Sequence, residues 1–384
     1  MNMARRLALL IALAVLYAPL ALAQDADELR GQFQSIIEGL NEDSFERFLR
    51  AIDRKDMTDR IYARRMVEPA VKTAFVQEFS TSIQQMFTSS FPSSKKEILG
   101  TVVDFRVDGD EGRAVVRYAA SGYRFIYHVY ELRFDSKDKL FVVDWLDYFQ
   151  GSRFSEEAGA ALVMALPSKA ATRNMLGNKA VNEGQVFQVG ELFKAARDDQ
   201  PERFFQIYDG LDDTLRAEKA VVRLNWALAL KVRDGARVES AAEAVVTAFP
   251  NDPLQSMRLV EYYIPSGQFD KAIEAINLLQ QDLGIRDGAT ESLKASAAMA
   301  LGENEDAVSY ALQATQSEPT LELSWWSLLR VRTAARDYSG ATEAMAHLED
   351  DFGESLTPQQ LRKDPYLRAL TDQQEYLDWR ASRE

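Results

Sequence analysis

"GQFDKAIEAI" at Gly267–Ile276, "GENEDAVSYA" at Gly302–Ala311 and "RDYSGATEAM" at Arg336–Met345 realign on one another. One slot holds a small residue each time, Ala272, then Ala307, then Ala341, at spacings of 35 and 34 residues. Helical patterns that recur at this period predict stacked helix pairs, because one pair alone cannot bury its apolar face. Such arrays present a surface to another molecule, so the period speaks to mode of action as well as to fold.

The period extends to either side as segments 222–252, 253–287, 288–321 and 322–355. A tail at 357–384 carries Leu361, Leu367, Leu370, Tyr376 and Trp379 to seal the last apolar face. The segments resemble tetratricopeptide repeats. The second supplies Leu259, Tyr263, Phe269, Ala272 and Ile276; the third Ala295, Ala298, Ala307, Ala311 and Pro319; the fourth Trp325, Leu328, Tyr338, Ala341 and Met345. They depart from the pattern with Ser256 in a slot that wants a large residue and with Val260 and Leu329 in small slots. The resemblance implies a groove lined by the first helix of each pair. Carried over position by position, it names Arg223, Trp226 and Arg233, then Met257 and Glu261, then Trp326 and Arg330 as groove residues. Trp and Arg are the types most enriched at binding hot spots. Trp325 and Trp326 are adjacent, so their buried and exposed roles are open to exchange.

The first half reads differently. Apolar stripes at Leu29–Leu40, Phe45–Ile52 and Val71–Phe87 predict helices, the second capped by Asn41 or Asp43. The period then becomes two. Strands are predicted from Val103, over Ala114–Ala120, Tyr123–Phe134 and Leu140–Phe149, with turns at Asp108–Gly112, Ser121-Gly122 and Asp135–Lys139. Helices followed by a four-stranded antiparallel sheet make an α+β order. This order resembles the ketosteroid-isomerase-like, nuclear-transport-factor-like cone over residues 27–150. Both faces of the last two strands are apolar, so something must cover the second face. The helix at Ser155–Leu166 is the expected cover, and a homodimer through the sheet is the alternative. The expected organisation is a signal segment 1–23, an α+β domain 24–166, a connection 167–184 and helical repeats with a cap over 185–384.

Residues 1–23 carry Arg5-Arg6, an apolar run and an Ala21-Leu22-Ala23 end, the pattern of a cleaved secretory signal. There is no cysteine, which excludes disulfides, thiolate metal sites and a lipid-modified N-terminal Cys. The expectation is a periplasmic or secreted protein without membrane insertion after cleavage. Net charge is −14, and −16 without Arg5 and Arg6, which argues against nucleic acid.

Catalytic equipment is sparse. His128 and His347 are the only histidines, and no H-E-x-x-H, G-x-S-x-G, P-loop or G-x-G-x-x-G occurs. Ser93 and Lys96 fit S-x-x-K inside a polar turn, an accidental match. His128 and Tyr130 share a strand face, and with Asp144 they define the one candidate pocket for a small ligand or an enzyme site. The reading is therefore a non-enzymatic adaptor for a protein or peptide, with no cofactor and no metal; the alternative places the active part in that pocket.

Overall fold

The computed structural model describes residues 26–383, apart from 43, 64–68, 90–98, 121–123, 166–168 and 177–180. The signal segment 1–23, Asp43, the Ser93/Lys96 pair and the Ser121-Gly122 turn lie outside the described residues. Contacts divide the chain at 220/221 into two units.

The first unit is an α+β structure. Its opening helices are α1 (26–41), α2 (Phe45–Ala51), α3 (Arg54–Tyr62), α4 (Pro69–Gln77) and α5 (Phe79–Ser89). An antiparallel meander follows, made of β1 (Leu99–Asp108), β2 (Glu111–Ala120), β3 (Arg124–Phe134), β4 (Leu140–Asp147) and a short β5 (Ser152–Arg153), in that spatial order. Five strands stand where four were predicted; β5 is two residues that pair back on Leu146 and Asp147. The unit continues with α6 (Phe154–Ala165), α7 (Lys169–Met175), α8 (Glu183–Arg197), α9 (Pro201–Asp209) and α10 (Asp213–Arg216). Residues 185–220, read from sequence as the start of the repeats, thus group by contact with the first unit.

The predicted stripe of α1 is buried: Leu29, Phe33, Ile37 and Leu40 join Phe48, Phe87, Tyr130 and Trp145 in one core. Asn41 does not cap α2. Its side-chain amide bonds both backbone groups of Gly100, at 2.7 and 3.0 Å, and so fastens α1 to β1.

A β-bulge reorients β4. Leu132 pairs with Val142 but Glu131 pairs with Asp144, leaving Val143 as an extra residue. Side chains alternate with period two, so one extra residue moves everything after it to the opposite face. Val142, Trp145 and Asp147 therefore share the core face with His128, Tyr130 and Leu132, while Asp144 turns away beside Glu131. The second face is also buried, with Val115 and Tyr127 at 0% exposure and Val129 at 2%. The expected cover, α6, turns three of its side chains to the first face. Phe154, Ala158 and Leu162 of α6 pack into the first-face core, and Phe154 stacks on Trp145 with centroids 3.9 Å apart. The second-face side chains Val115, Tyr127 and Val129 are buried within one chain.

The second unit is all helical. It runs through α11 (Lys219–Val232), α12 (Gly235–Ala248), α13 (Ser256–Tyr263), α14 (Phe269–Leu283), α15 (Gly288–Leu301), α16 (Asn304–Ser317), α17 (Glu322–Ala334), α18 (Tyr338–Phe352), α19 (Pro358–Leu361) and α20 (Gln374–Ala381). The pairs α13–α14, α15–α16 and α17–α18 pack as hairpins, and each hairpin packs on the next. Ala272, Ala307 and Ala341 are each the fourth residue of a hairpin's second helix, exposed by no more than 1%. Lacking a bulky side chain, they let the facing helix approach closely. The first residue of each quoted segment turns with positive φ: Gly267 at 72°, Gly302 at 81° and Arg336 at 62°. The tail seals the last hairpin as predicted: Leu361, Leu367, Leu370 and Tyr376 share a core with Leu328 and Leu348, and the Tyr376 hydroxyl donates to the Leu356 carbonyl at 3.1 Å.

The fourth position of each repeat is filled differently from hairpin to hairpin. In α17 it holds Trp325, which packs beside the last core and whose indole N–H donates to the Pro319 carbonyl at 2.8 Å. In α15 it holds Glu291, joined to Lys294 and Gln280 in a buried polar knot. In α13 it holds Ser256, which is too small to fill the space.

Candidate functional site

His128, Tyr130 and Asp144 were expected to line one pocket. The first two meet: His128 Nδ1 lies 3.3 Å from the Tyr130 hydroxyl, which in turn lies 2.6 Å from the Tyr118 hydroxyl. Asp144 is excluded by the bulge. It accepts from the Trp145 amide (2.9 Å) and from the Ser155 amide and hydroxyl (3.1 and 2.6 Å), with Arg60 4.0 Å away. Burial pushes the Asp144 carboxyl up, and these donors offset only part of the rise.

Asp147 takes the place expected of Asp144. Its Oδ2 lies 3.4 Å from His128 Nε2, and its Oδ1 accepts from the Phe149 and Gln150 amides, both at 2.8 Å. Burial pushes this carboxyl up, but the facing His128 and the two amides outweigh it and hold it below the usual range. The resulting Asp147–His128–Tyr130–Tyr118 chain is wrapped in rings. Tyr118 and Phe87 lie edge-on to the imidazole at 5.0 and 5.7 Å, and Trp145 lies nearly parallel at 6.4 Å. The hollow bordering Asp147, between Met86, Ser152, Phe154 and Glu157, has a volume of about 100 Å³. That is room for about three waters, against about 300 Å³ or more for a typical ligand pocket. The arrangement is a buried polar seam inside an aromatic core. No apolar pattern signalled it, because both faces of β3 and β4 are apolar and the equal run Phe125-Ile126-Tyr127 of β3 keeps a regular register.

The expected groove residues do not form one open surface. Trp226 is fully buried, edge-on to Tyr262 of α13 at 6.4 Å, and Met257 is 4% exposed. Arg223 lies over the Phe249 ring at 5.0 Å. Arg233 falls past the end of α11 in the turn to α12, with φ of 60°, as Gly267 and Gly302 do between later helices. Glu261 is half-buried on α13. Trp326, also half-buried, donates its indole N–H to Glu322 at 2.7 Å. Arg330, 5.7 Å from the Trp326 ring, is held by Asp364 of the cap at 2.6 Å. Of these side chains, Trp226 is spent on the next hairpin and Arg330 on the cap.

A wider concavity lies elsewhere. Between α12 and the α13–α14 hairpin runs a cleft of about 940 Å³, lined by Val246, Phe249, Leu259, Tyr262, Ala275 and Leu278 among others. It opens where α12, joined to α11 by a tight turn, meets α13 beside the small Ser256. Val246 remains 43% exposed on its wall.

Among the described residues no group of His, Asp and Glu is arranged to hold a metal ion, and no helix is long and apolar enough to cross a membrane. Compared with known proteins, the chain matches no protein-family model and no curated sequence.

Proposed function

We propose that the chain is an exported, non-enzymatic adaptor that grips a peptide or protein segment with its helical hairpins, which we read as tetratricopeptide-like. The observation that carries this is the cleft beside α12. It is of binding-site size, and its lining sets apolar side chains (Val246, Phe249, Leu259, Tyr262) among polar and acidic ones (Asn251, Glu239, Glu243, Glu274). The first unit supports the reading from the other side: its histidine is locked into a core with no room for a substrate. Export is supported by the signal-like segment 1–23 and by the absence of cysteine, which leaves the chain indifferent to an oxidising compartment.

The test is selection of a random peptide library on the purified chain, run beside the Val246→Trp variant. Val246 is exposed on the cleft wall, so a large ring there blocks the cleft without disturbing a core. Peptides enriched on the native chain should lose most of their affinity for the variant. Failure to enrich any sequence, or enrichment that ignores Val246→Trp, overturns the proposal.

A further inference from the structure

We propose that the occupant of the α12–α14 cleft is a cationic segment of a partner protein, with Lys or Arg set between apolar residues. This rests on the reading of the cleft as the binding site and adds the chemistry of the partner.

The cleft couples an apolar floor to an acidic rim. Glu239 and Glu243 stand on α12 and Glu274 on α14, all exposed and all lining the cleft. Among the described residues none of the three carboxylates has an ion-pair partner. The one lining cation, Lys271, donates to Gln268 at 2.8 Å and lies 5.7 Å from the Tyr263 ring. Glu239 and Glu243 are four apart on one helix, an arrangement that destabilises an isolated helix unless a cation lies between. Elsewhere an acid with a cation four residues away on its helix is paired, as Asp59 is with Lys55 and Asp56 with Arg60. The uncompensated pair is therefore open to a cation from outside.

A second observation points the same way. Ser256 lines the cleft, is 1% exposed, and its hydroxyl has no hydrogen-bond partner among the described residues. A buried hydroxyl left unpaired costs about 1–3 kcal/mol, and the backbone carbonyl of an inserted segment would satisfy it. Four residues of helix set Glu239 and Glu243 about 6 Å apart. That separation matches cations at i and i+2 of an extended segment, which rises about 3.3 Å per residue.

The same charge excludes other occupants. Residues 221–384 hold 26 Asp and Glu against 16 Lys and Arg, so a second copy would bring like charge to like. A polyamine would meet the rim but leave the floor of Phe249, Leu259 and Tyr262 wet.

The experiment measures binding of labelled nonapeptides in which Leu alternates with Lys, Glu or Gln, with spermidine as a separate ligand, to the full chain. The Lys peptide should bind tightest and weaken several-fold between 50 and 300 mM salt. Glu239→Gln, Glu243→Gln and Glu274→Gln should each lose about twofold and together about tenfold. Replacing Glu303, Glu305 and Asp306, exposed acids of the next hairpin, by their amides should change nothing, which separates a site from general charge attraction. If the Gln peptide binds as well as the Lys peptide and Val246→Trp abolishes both, the cationic inference falls while the binding function stands. Spermidine binding as tightly as the Lys peptide overturns the segment. If no peptide responds to Val246→Trp, both readings fall.

Discussion

Asp144 and Asp147 are three residues apart on one strand, both buried, and displaced in opposite directions. Each has a definite consequence for stability against pH. The Asp147 carboxyl is held below its unfolded value, so it adds stability that is fully present above the ordinary carboxylate range and is lost as pH falls through the folded value. Asp144 is raised, so its contribution is fully present below the unfolded value and is lost as pH rises. Urea unfolding should therefore find Asp147→Asn destabilised by about 2 kcal/mol at pH 7, with the gap closing below about pH 4. The gap between native and Asp144→Asn should narrow in the other direction, from pH 4 to pH 7. Parallel gaps across that range would contradict the assignment of Asp147, and not Asp144, to the imidazole. The sequence alone selected Asp144 because strict alternation on β4 puts it with Val142; pattern counting has no term for an extra residue. The apolar run at Phe141–Val143 did not mark the break, because both faces of this sheet are apolar and Phe125–Tyr127 runs through a regular register.

At the scale of elements, the hairpins share a phase but not a filling. The phase was legible because it rests on small residues at fixed spacing, and Ala272, Ala307 and Ala341 are buried where that spacing requires. Which neighbour each large side chain chooses was not legible, because a helix period assigns a face and not a partner. Trp226 packs on α13, and Arg330 is taken by a cap residue 34 positions on. In α15 the central slot holds ions: the Glu291 and Lys294 side chains are 1% and 4% exposed and lie 3.3 Å apart. Gln280 donates to Glu291 at 2.8 Å and accepts from Lys294 at 3.3 Å, while the ammonium lies 4.3 Å from the Tyr310 ring centroid. Removing one member strands the other charge. Lys294→Met should lower stability by about 3–5 kcal/mol, and adding Glu291→Gln should restore most of it, because a buried pair is hard to break and easy to replace whole. The check is chemical denaturation of native, single and double variants. A single variant as stable as the double would mean that Glu291 carries no charge in the folded chain.

For the whole molecule, the two contact units have separate reasons to be stable. The first is organised around crossed aromatics between α1, α2, α5 and the sheet; the second around alanine-spaced hairpins closed by a cap. No disulfide joins any part of the chain, so cohesion within each unit comes from its own buried surface. Phe48 and Leu329 are both fully buried, one in each core, and truncating either to Ala should cost about 3–5 kcal/mol within its own unit. Scanning calorimetry of the native chain should resolve two transitions, since multi-unit chains depart from two-state unfolding. Phe48→Ala should move one of them and Leu329→Ala the other, by several degrees each. A peptide bound in the cleft lies wholly against the second unit and stabilises only the state that binds it. It should raise the transition that responds to Leu329→Ala and leave the other in place. One cooperative transition shifted equally by both substitutions would show the chain unfolding as a single block, and a ligand shift could then no longer be assigned to the helical array.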